Sequence, residues 1–462
     1  MAKKTKAADL SIEEKLEQAL VVTGYEPYKI PDNWCWVKMN SISNFERGIT
    51  FPASAKEKEK SFANIPCLRT ANVQETLDIS DLIYVDKTYM KNNPAKLVKK
   101  KDILMSIANS KELVGKTSLI SSFTGSMTFG GFVMAIRSKI VADFLFYYLR
   151  NEFYSGRFIG DSTQTTNIAN INSTMLGHIE TPVPPLPEQQ RIVERIESLF
   201  SKLDEAKEKA QEVINSLETR KAAILHKAFS GELTAKWREE NGVGIESWKR
   251  KTLGEVCNSI FDGDHMPPPK SKNGIPFLVI SNVNDGYLSF ENTRFVPQEY
   301  YDAITDTRKP EKGDVLYTLV GSFGIPVVVD TNAPFCFQRH MALLKPKSIN
   351  TYFLWYLLQS QEMYQKASSI AKGVAQLTVP IKGLRLMDFN CPSEEEQIEI
   401  VRILDSLLEK EDTSKDNAES IIDKIETMKK AILARAFRGE LGTNDPEEES
   451  AVELLKQILS GE

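Results

Sequence analysis

Arginine, asparagine and glutamine recur in short loop-like stretches of this 462-residue chain. In the first half the polar stretches are Arg47–Thr50, Arg69–Asn72, Asn109–Lys111 and Gln164–Asn167. In the second half they are Ser281–Asn284, Ser322–Phe323, Gln338–His340 and Lys372–Gln376. Side chains of these types can hydrogen-bond the flat edges of nucleobases. A guanidinium pairs bidentately with guanine, and a carboxamide with adenine. Serine, threonine and lysine more often hold phosphate. The candidate DNA contacts are therefore Arg47, Arg69, Thr70, Asn72, Asn109, Lys111, Gln164, Thr165 and Asn167, with Asn282, Asn284, Ser322, Gln338, Arg339, His340 and Gln376 in the second half. Any one stretch taken alone reads as a solvated turn. Their recurrence at similar places in both halves is what favours base contact.

Other chemistries find little support. VGKTSLI at 114–120 is similar to the end of a phosphate-binding loop, but that loop needs glycine at 110 and the residue there is Ser110. His178, His226, His265 and His340 show no ligand spacing. Asp262, Asp264 and His265 in FDGDHMPPP are near enough to share a metal, though a polar turn before a proline run is the plainer reading. Cys35, Cys67, Cys257, Cys336 and Cys391 are odd in number and scattered, and no CxxC occurs, so neither disulfides nor zinc are expected. No GxSxG, no HExxH and no Asn/Asp-Pro-Pro-aromatic tetrad of a base-flipping methyltransferase is present. The expectation is a chain that binds and does not catalyse, with no cofactor or metal of its own.

The elements that must position these loops come in two copies. From Glu188 to Leu233, 22 of 46 residues are identical to those 208 positions later, without a gap. Such a repeat, at so long a period, marks duplicated domains. Both copies read as long helices. In the first, Ile192, Ile196, Leu199, Leu203, Ala206, Ala210, Val213 and Leu217 alternate steps of four and three; Arg220 breaks the row and Ile224 resumes it. In the second, Ile400, Leu404 and Leu407 are followed by Glu411 and Ser414, then Ala418, Ile421, Ile425, Met428 and Ile432. A 3.5-residue period is that of a coiled-coil seam. The chain between the helices returns to its start, so an antiparallel pair is expected.

Before each helix lies a globule whose short apolar runs are divided by Pro, Gly and Asn, as in a strand-rich α+β domain. The first offers strands at Ile65–Leu68, Leu82–Val85, Ile103–Ile107, Thr117–Ile120 and Phe132–Ile136, then a helix from Asp143. Phe144, Phe146, Tyr147 and Tyr148 on that helix could stack on bases, but core packing is the plainer reading. The second globule repeats the plan: Trp34 answers to Trp248, IPCLRTANV to IPFLVISNV, KKDILMSI to KGDVLYTL, and FLFYYL to FLWYLL. The expected layout is an extension with a short helix at 1–30, a globule at 31–183, a helix at 184–241, a globule at 242–391, a helix at 392–441 and an acidic tail with a short helix at 442–462. In the extension, Ser11 is the expected N-cap, with Glu14 completing a capping box.

The net charge is −5, yet Pro31–Glu180 holds 18 basic against 14 acidic residues and Ile245–Cys391 holds 16 against 14. Two mildly basic globules joined by acidic helices fit DNA contact by the globules, and equally fit two ordinary domains. No apolar run is long enough to span a membrane, and no apolar stretch follows the opening lysines. A cytoplasmic protein is expected.

The doubled PPLPEQQRIVERIESLF…KAAILHKAFSGELTAKW and EEEQIEIVRILDSLL…KKAILARAFRGEL, with the Trp-headed globules and their IPxL…NV segments, resembles the DNA-specificity subunit of type I restriction–modification systems. The likeness covers most of the chain. It departs in the polar middle of the second helix, Glu411 to Asn417, and in Pro392-Ser393-Glu394 where the first copy has Pro184-Pro185-Leu186. It implies two target-recognition domains separated by two antiparallel coiled-coil helices, each domain reading one half of a bipartite site in double-stranded DNA. It also implies two methyltransferase subunits and two translocase–nuclease subunits as partners, which would carry the S-adenosylmethionine, ATP and Mg. A two-headed adaptor for protein or glycan, with the coiled coil as a mere spacer, is the rival from another class.

Overall fold

The computed structural model describes residues 10–461 except 123–124, 162, 166–167, 264–266 and 375, and leaves out the side chains of 160–168. The chain folds as two compact units, Met1–Glu208 with Ile421–Glu462, and Lys209–Ser420. Each unit holds one α+β lobe and a part of both long helices, Leu186–Phe229 and Glu394–Ala436. The spacer segments expected at 184–241 and 392–441 are thus each shared between the two units. Both helices end at a glycine with positive φ, Gly231 and Gly439, where a side chain would be strained.

In the first unit the helix segments run antiparallel. Lys207 pairs with Glu426 at 2.6 Å and Asp204 with Lys429 at 2.5 Å, so one number rises as the other falls. Ile192, Ile196 and Ile425 are buried, and Leu199, Leu203 and Ile432 half-buried. In the second unit Ile400, Leu404, Ala210 and Ala418 are buried, and Val213, Leu217, Ile224 and Leu407 half-buried. Ile421 and Met428 depart from the expected seam, being 45% and 51% exposed. The inward positions there are Ile422 and Lys429. A helix near 3.6 residues per turn drifts off a strict 3.5 pattern. The helix ends are also recruited by the lobes. Phe437 packs edge-on against Phe144 and Tyr148 in the first unit, and Phe229 against Phe353 in the second. Phe144, Phe146 and Tyr148 are accordingly core residues.

The repeated Glu-Gln at the start of each helix locks it to its own lobe. The Trp34 indole N–H donates to Glu188 at 2.7 Å and that of Trp248 to Glu396 at 2.8 Å. Gln189 accepts from Val141 N and donates to Pro184 O, and Gln397 does the same with Asn350 N and Pro392 O. Each glutamate takes a further donor from the segment that follows the other helix, Asn444 on Glu188 and Arg238 on Glu396. The tail helix, Ala451–Ser460, packs on the capped N-terminal helix, Ile12–Ala19, whose Ser11–Glu14 box is formed.

The lobes share one topology. In the first, an antiparallel sheet runs in the order Ser43–Arg47, Val133–Ser138, Ile103–Ser106, Thr117–Leu119. The second has Cys257–Asp262, Met341–Pro346, Val315–Thr318, Pro326–Val328. Beside each lies a three-stranded sheet with one parallel pair, Asn64–Leu68 with Thr128–Phe129, and Ile275–Leu278 with Cys336–Phe337. A two-stranded ladder, Cys35–Lys38 with Glu180–Val183 and Lys249–Thr252 with Asp388–Cys391, closes each lobe.

Candidate nucleic-acid interface

One turn at the surface, with Phe132 or Arg339 exposed on it, is built alike in both lobes. In the first it is Gly130-Gly131-Phe132, in the second Gln338-Arg339-His340. Three backbone bonds pin it. Gly130 N donates to Leu68 O at 2.8 Å, Val133 N to Gly130 O at 2.8 Å, and Ile107 N to Phe132 O at 3.0 Å. Their counterparts are Gln338 N to Leu278 O at 3.1 Å, Met341 N to Gln338 O at 3.2 Å, and Leu319 N to His340 O at 2.8 Å. A glycine passes against each turn so closely that a Cβ would strike backbone oxygens: Gly48 against Phe129 and Gly130, Gly263 against Phe337 and Gln338. Just before Gly48 stands Arg47, exposed, its Nε donating to Gly131 O at 2.8 Å.

A second loop pair flanks the turn. In the first lobe, Ala108–Asn109 joins a small sheet with Ile168–Asn170 and Thr163–Thr165. Between this sheet and the Arg47 strand is a cleft of ≈ 280 Å³, lined by Phe45, Arg47, Ala108, Asn170, Asn172 and Ser173 among others. In the second lobe, Val320 bridges to Thr378 and Gly321 N donates to Leu377 O at 3.1 Å. Phe323 stacks on Tyr364 with ring centroids 5.6 Å apart. This brings exposed Ser322 and Gln376 onto one surface. Fixed backbone with exposed guanidinium and amide groups beside a groove suits recognition of a polar edge.

The family described as type I restriction modification DNA specificity domain matches this chain twice, at residues 31–216 and 245–423. The chain belongs to that family. The EcoKI type I restriction enzyme specificity subunit of Escherichia coli K12 is 25% identical over 453 residues, covering 93% of this chain and 96% of its own. The HsdS subunit of Thermoanaerobacter tengcongensis superposes with a TM-score of 0.59 at 21% identity, over 90% of this chain and 99% of that one. A chain from a type I R-M system, in a study of complex assembly and conformational transition, gives 0.64 at 20% identity, over 90% and 100%. The expected α+β architecture, two recognition domains in tandem with two long helices, is that of this family. As a specificity subunit it serves DNA recognition and is not itself the catalyst.

Within the specificity subunit, several predicted contacts are engaged inside their own lobe. Asn72 and Asn282 are only 2% and 5% exposed. Asn72 accepts from Arg69 N and donates to Asp78 O and Asp81 O; Asn282 accepts from Val279 N and donates to Glu291 O. The repeated asparagine of IPxL…NV is buried here and shapes a turn. Arg69 is held by Asp81 at 2.6 Å, and Thr70 is half-buried behind it. Asn109 is partly consumed, accepting from Ser110 N and donating to Ser106 Oγ. Lys111, Asn284, Ser322, Arg339 and Gln376 are exposed, and Gln338 and His340 half-exposed. Gln164 and Thr165 lie on a described strand with their side chains outside the described set, and Asn167 lies outside the described residues.

Asn170 and Asn172 were not among the expected contacts, and Phe132 was expected only as the start of a strand. Phe132, 63% exposed, sits in an apolar run that reads as buried strand, but the strand starts one residue later. VGKTSLI leads into a strand, Thr117–Leu119, which removes the phosphate-loop reading. Among the described residues no His/Cys/Asp/Glu group could hold a metal. Asp264 and His265 fall outside them. All five cysteines are buried, and burial pushes the Cys35, Cys67 and Cys257 thiols up to about 12, far from a nucleophilic thiolate. No described helix is long and apolar enough to cross a membrane.

Proposed function

We propose that each recognition lobe reads one half of a bipartite site in double-stranded DNA, and that the long helices set the unread gap between the halves. The observation that carries this reading is the doubled turn: the same pinned backbone appears in both lobes with different side chains on it. One reading platform with two sets of side chains fits one protein that recognises two unlike half-sites. The lobe surfaces and helix flanks dock two methyltransferase subunits, which bind S-adenosylmethionine. Two translocase–nuclease subunits complete the complex and use ATP and Mg. This chain selects the sequence, and its partners perform the reaction.

The test is a methylation map of a methyl-free host expressing the chain with its cognate methyltransferase. A split motif with a fixed gap is expected. No new methylation, with the methyltransferase active beside another specificity chain, would favour the two-headed adaptor. An adaptor would also lack salt-dependent DNA affinity.

A further inference from the structure

We infer that Arg47 and Arg339 are the guanine readers of the two half-sites, occupying equivalent places in their own lobes, one from a strand and the other from the turn beside it. The inference rests on the half-site reading and names the contact that executes it.

The matched backbone bonds equate Gly131 with Arg339. The sheet registers equate Arg47, opposite Met134, with Asp262, opposite Ala342. The first lobe thus carries its arginine on the strand and glycine on the turn, and the second carries an acid on the strand and its arginine on the turn. Arg47 reaches over Gly131, with its Nε fixed on that carbonyl. The guanidinium of the first lobe therefore lies over Gly131, whose counterpart in the second lobe is Arg339.

Neither arginine has a carboxylate within ion-pair distance among the described residues, unlike Arg69, Arg137 and Arg150 in the first lobe. Arg47 is exposed and its Nε is committed to Gly131 O, which leaves its two terminal nitrogens for a ligand. A pair of parallel N–H donors is what guanine O6 and N7 accept in the major groove. The next turn position carries a planar side chain in each lobe, Phe132 or His340, of a type that can cover a neighbouring base.

The test maps methylation directed by the complete complex with wild-type chain, Arg47→Ala and Arg339→Ala. The wild-type motif should carry a G·C pair in each half. Arg47→Ala should relax one G·C position in one half only, and Arg339→Ala one in the other. An unchanged motif in either variant, or relaxation of the same half by both, overturns the inference. For a variant that methylates nothing, the purified complex is titrated with duplexes in which each G·C pair of the half-site is replaced in turn by A·T. One replacement should weaken wild-type binding about 5- to 150-fold and leave the variant indifferent; a variant that still discriminates at every position overturns the assignment. A wild-type chain that directs no split motif overturns the half-site reading itself.

Discussion

Arg220 donates from Nε to Glu411 Oε2 across 2.7 Å, and each of the two interrupts the apolar row of its own helix. The two interruptions meet in the second unit, so what looks like a defect in either helix alone is a match between them. Arg220 is further held by Ser216 Oγ at 2.9 Å. Their side chains are 37% and 24% exposed, so the pair is a weak stabiliser, worth about 0–1 kcal/mol. Its stronger effect is on register. A one-turn slip of either helix would set a charge against leucine or isoleucine, as a polar residue at a seam position does in other coiled coils.

A double-mutant cycle should show this. Replacing both residues by leucine should leave stability equal or raise it by about 1–2 kcal/mol, because two half-buried charges give way to apolar packing. Arg220→Leu alone should cost up to about 1 kcal/mol, since Glu411 loses its partner. Urea midpoints give the coupling energy. A coupling indistinguishable from zero would mean that the pair specifies nothing.

Glu188 supplies a pH test. It is fully buried, and burial pushes its carboxyl above the ordinary 4.5, partly offset by donors Asn444 and Trp34. A carboxyl whose folded value is raised costs stability when ionised, so the cost is present above the folded value and disappears as pH falls toward 4.5. Glu188→Gln keeps an acceptor for Trp34 and Asn444 and removes the charge. The variant should be the more stable near neutrality, and the difference should shrink as the pH is lowered through that window. Urea titrations at several pH values, followed on both proteins, decide it; a difference that widens on acidification contradicts the assignment.

Repeated motifs made much of this fold legible, but not the roles of the repeated residues. The Trp34–Glu188 and Trp248–Glu396 locks come from residues that the sequence displays twice, and the strands expected at Ile65–Leu68, Ile103–Ile107 and Thr117–Ile120 formed within a residue or two. Asn72 and Asn282 show the limit. Their repetition suggested recognition, while both are buried and hydrogen-bonded within a turn. A carboxamide closes a turn by the same hydrogen bonds that would read adenine, and sequence cannot tell which partner it takes. Arg47 and Arg339 were visible as candidates, but their equivalent places depend on register and on the Gly48 and Gly263 crossings, which no periodicity encodes.

Those crossings can be tested directly. A Cβ at Gly48 would fall within contact distance of the Phe129 and Gly130 carbonyl oxygens, and neither can swing aside as a side chain would. Gly48→Ala should cost about 1–3 kcal/mol in the first lobe and loosen its turn. Recognition should fail in one half-site, with the helix content by circular dichroism unchanged. Gly263→Ala should act likewise on the other half-site. Wild-type stability in both alanine variants would show that the crossing is not as close as described.

The proposed spacing role of the helices gives the last prediction. Four residues inserted in each long helix, after Glu208 and after Ser420, keep both helices nearly in phase, because four residues exceed one turn by only about 40°. They add about 6 Å to the rod, which is about two base pairs at ~3.4 Å each. The apolar seam continues through the insertion if the added residues repeat its pattern, so the antiparallel pairing of Lys207 with Glu426 and of Arg220 with Glu411 can persist on either side. The methylated motif should then keep both half-sites and widen its unread gap by about two base pairs. Insertion in one helix alone should disrupt the pairing and abolish methylation. A motif with altered half-sites and an unchanged gap would show that the helices do not meter the DNA.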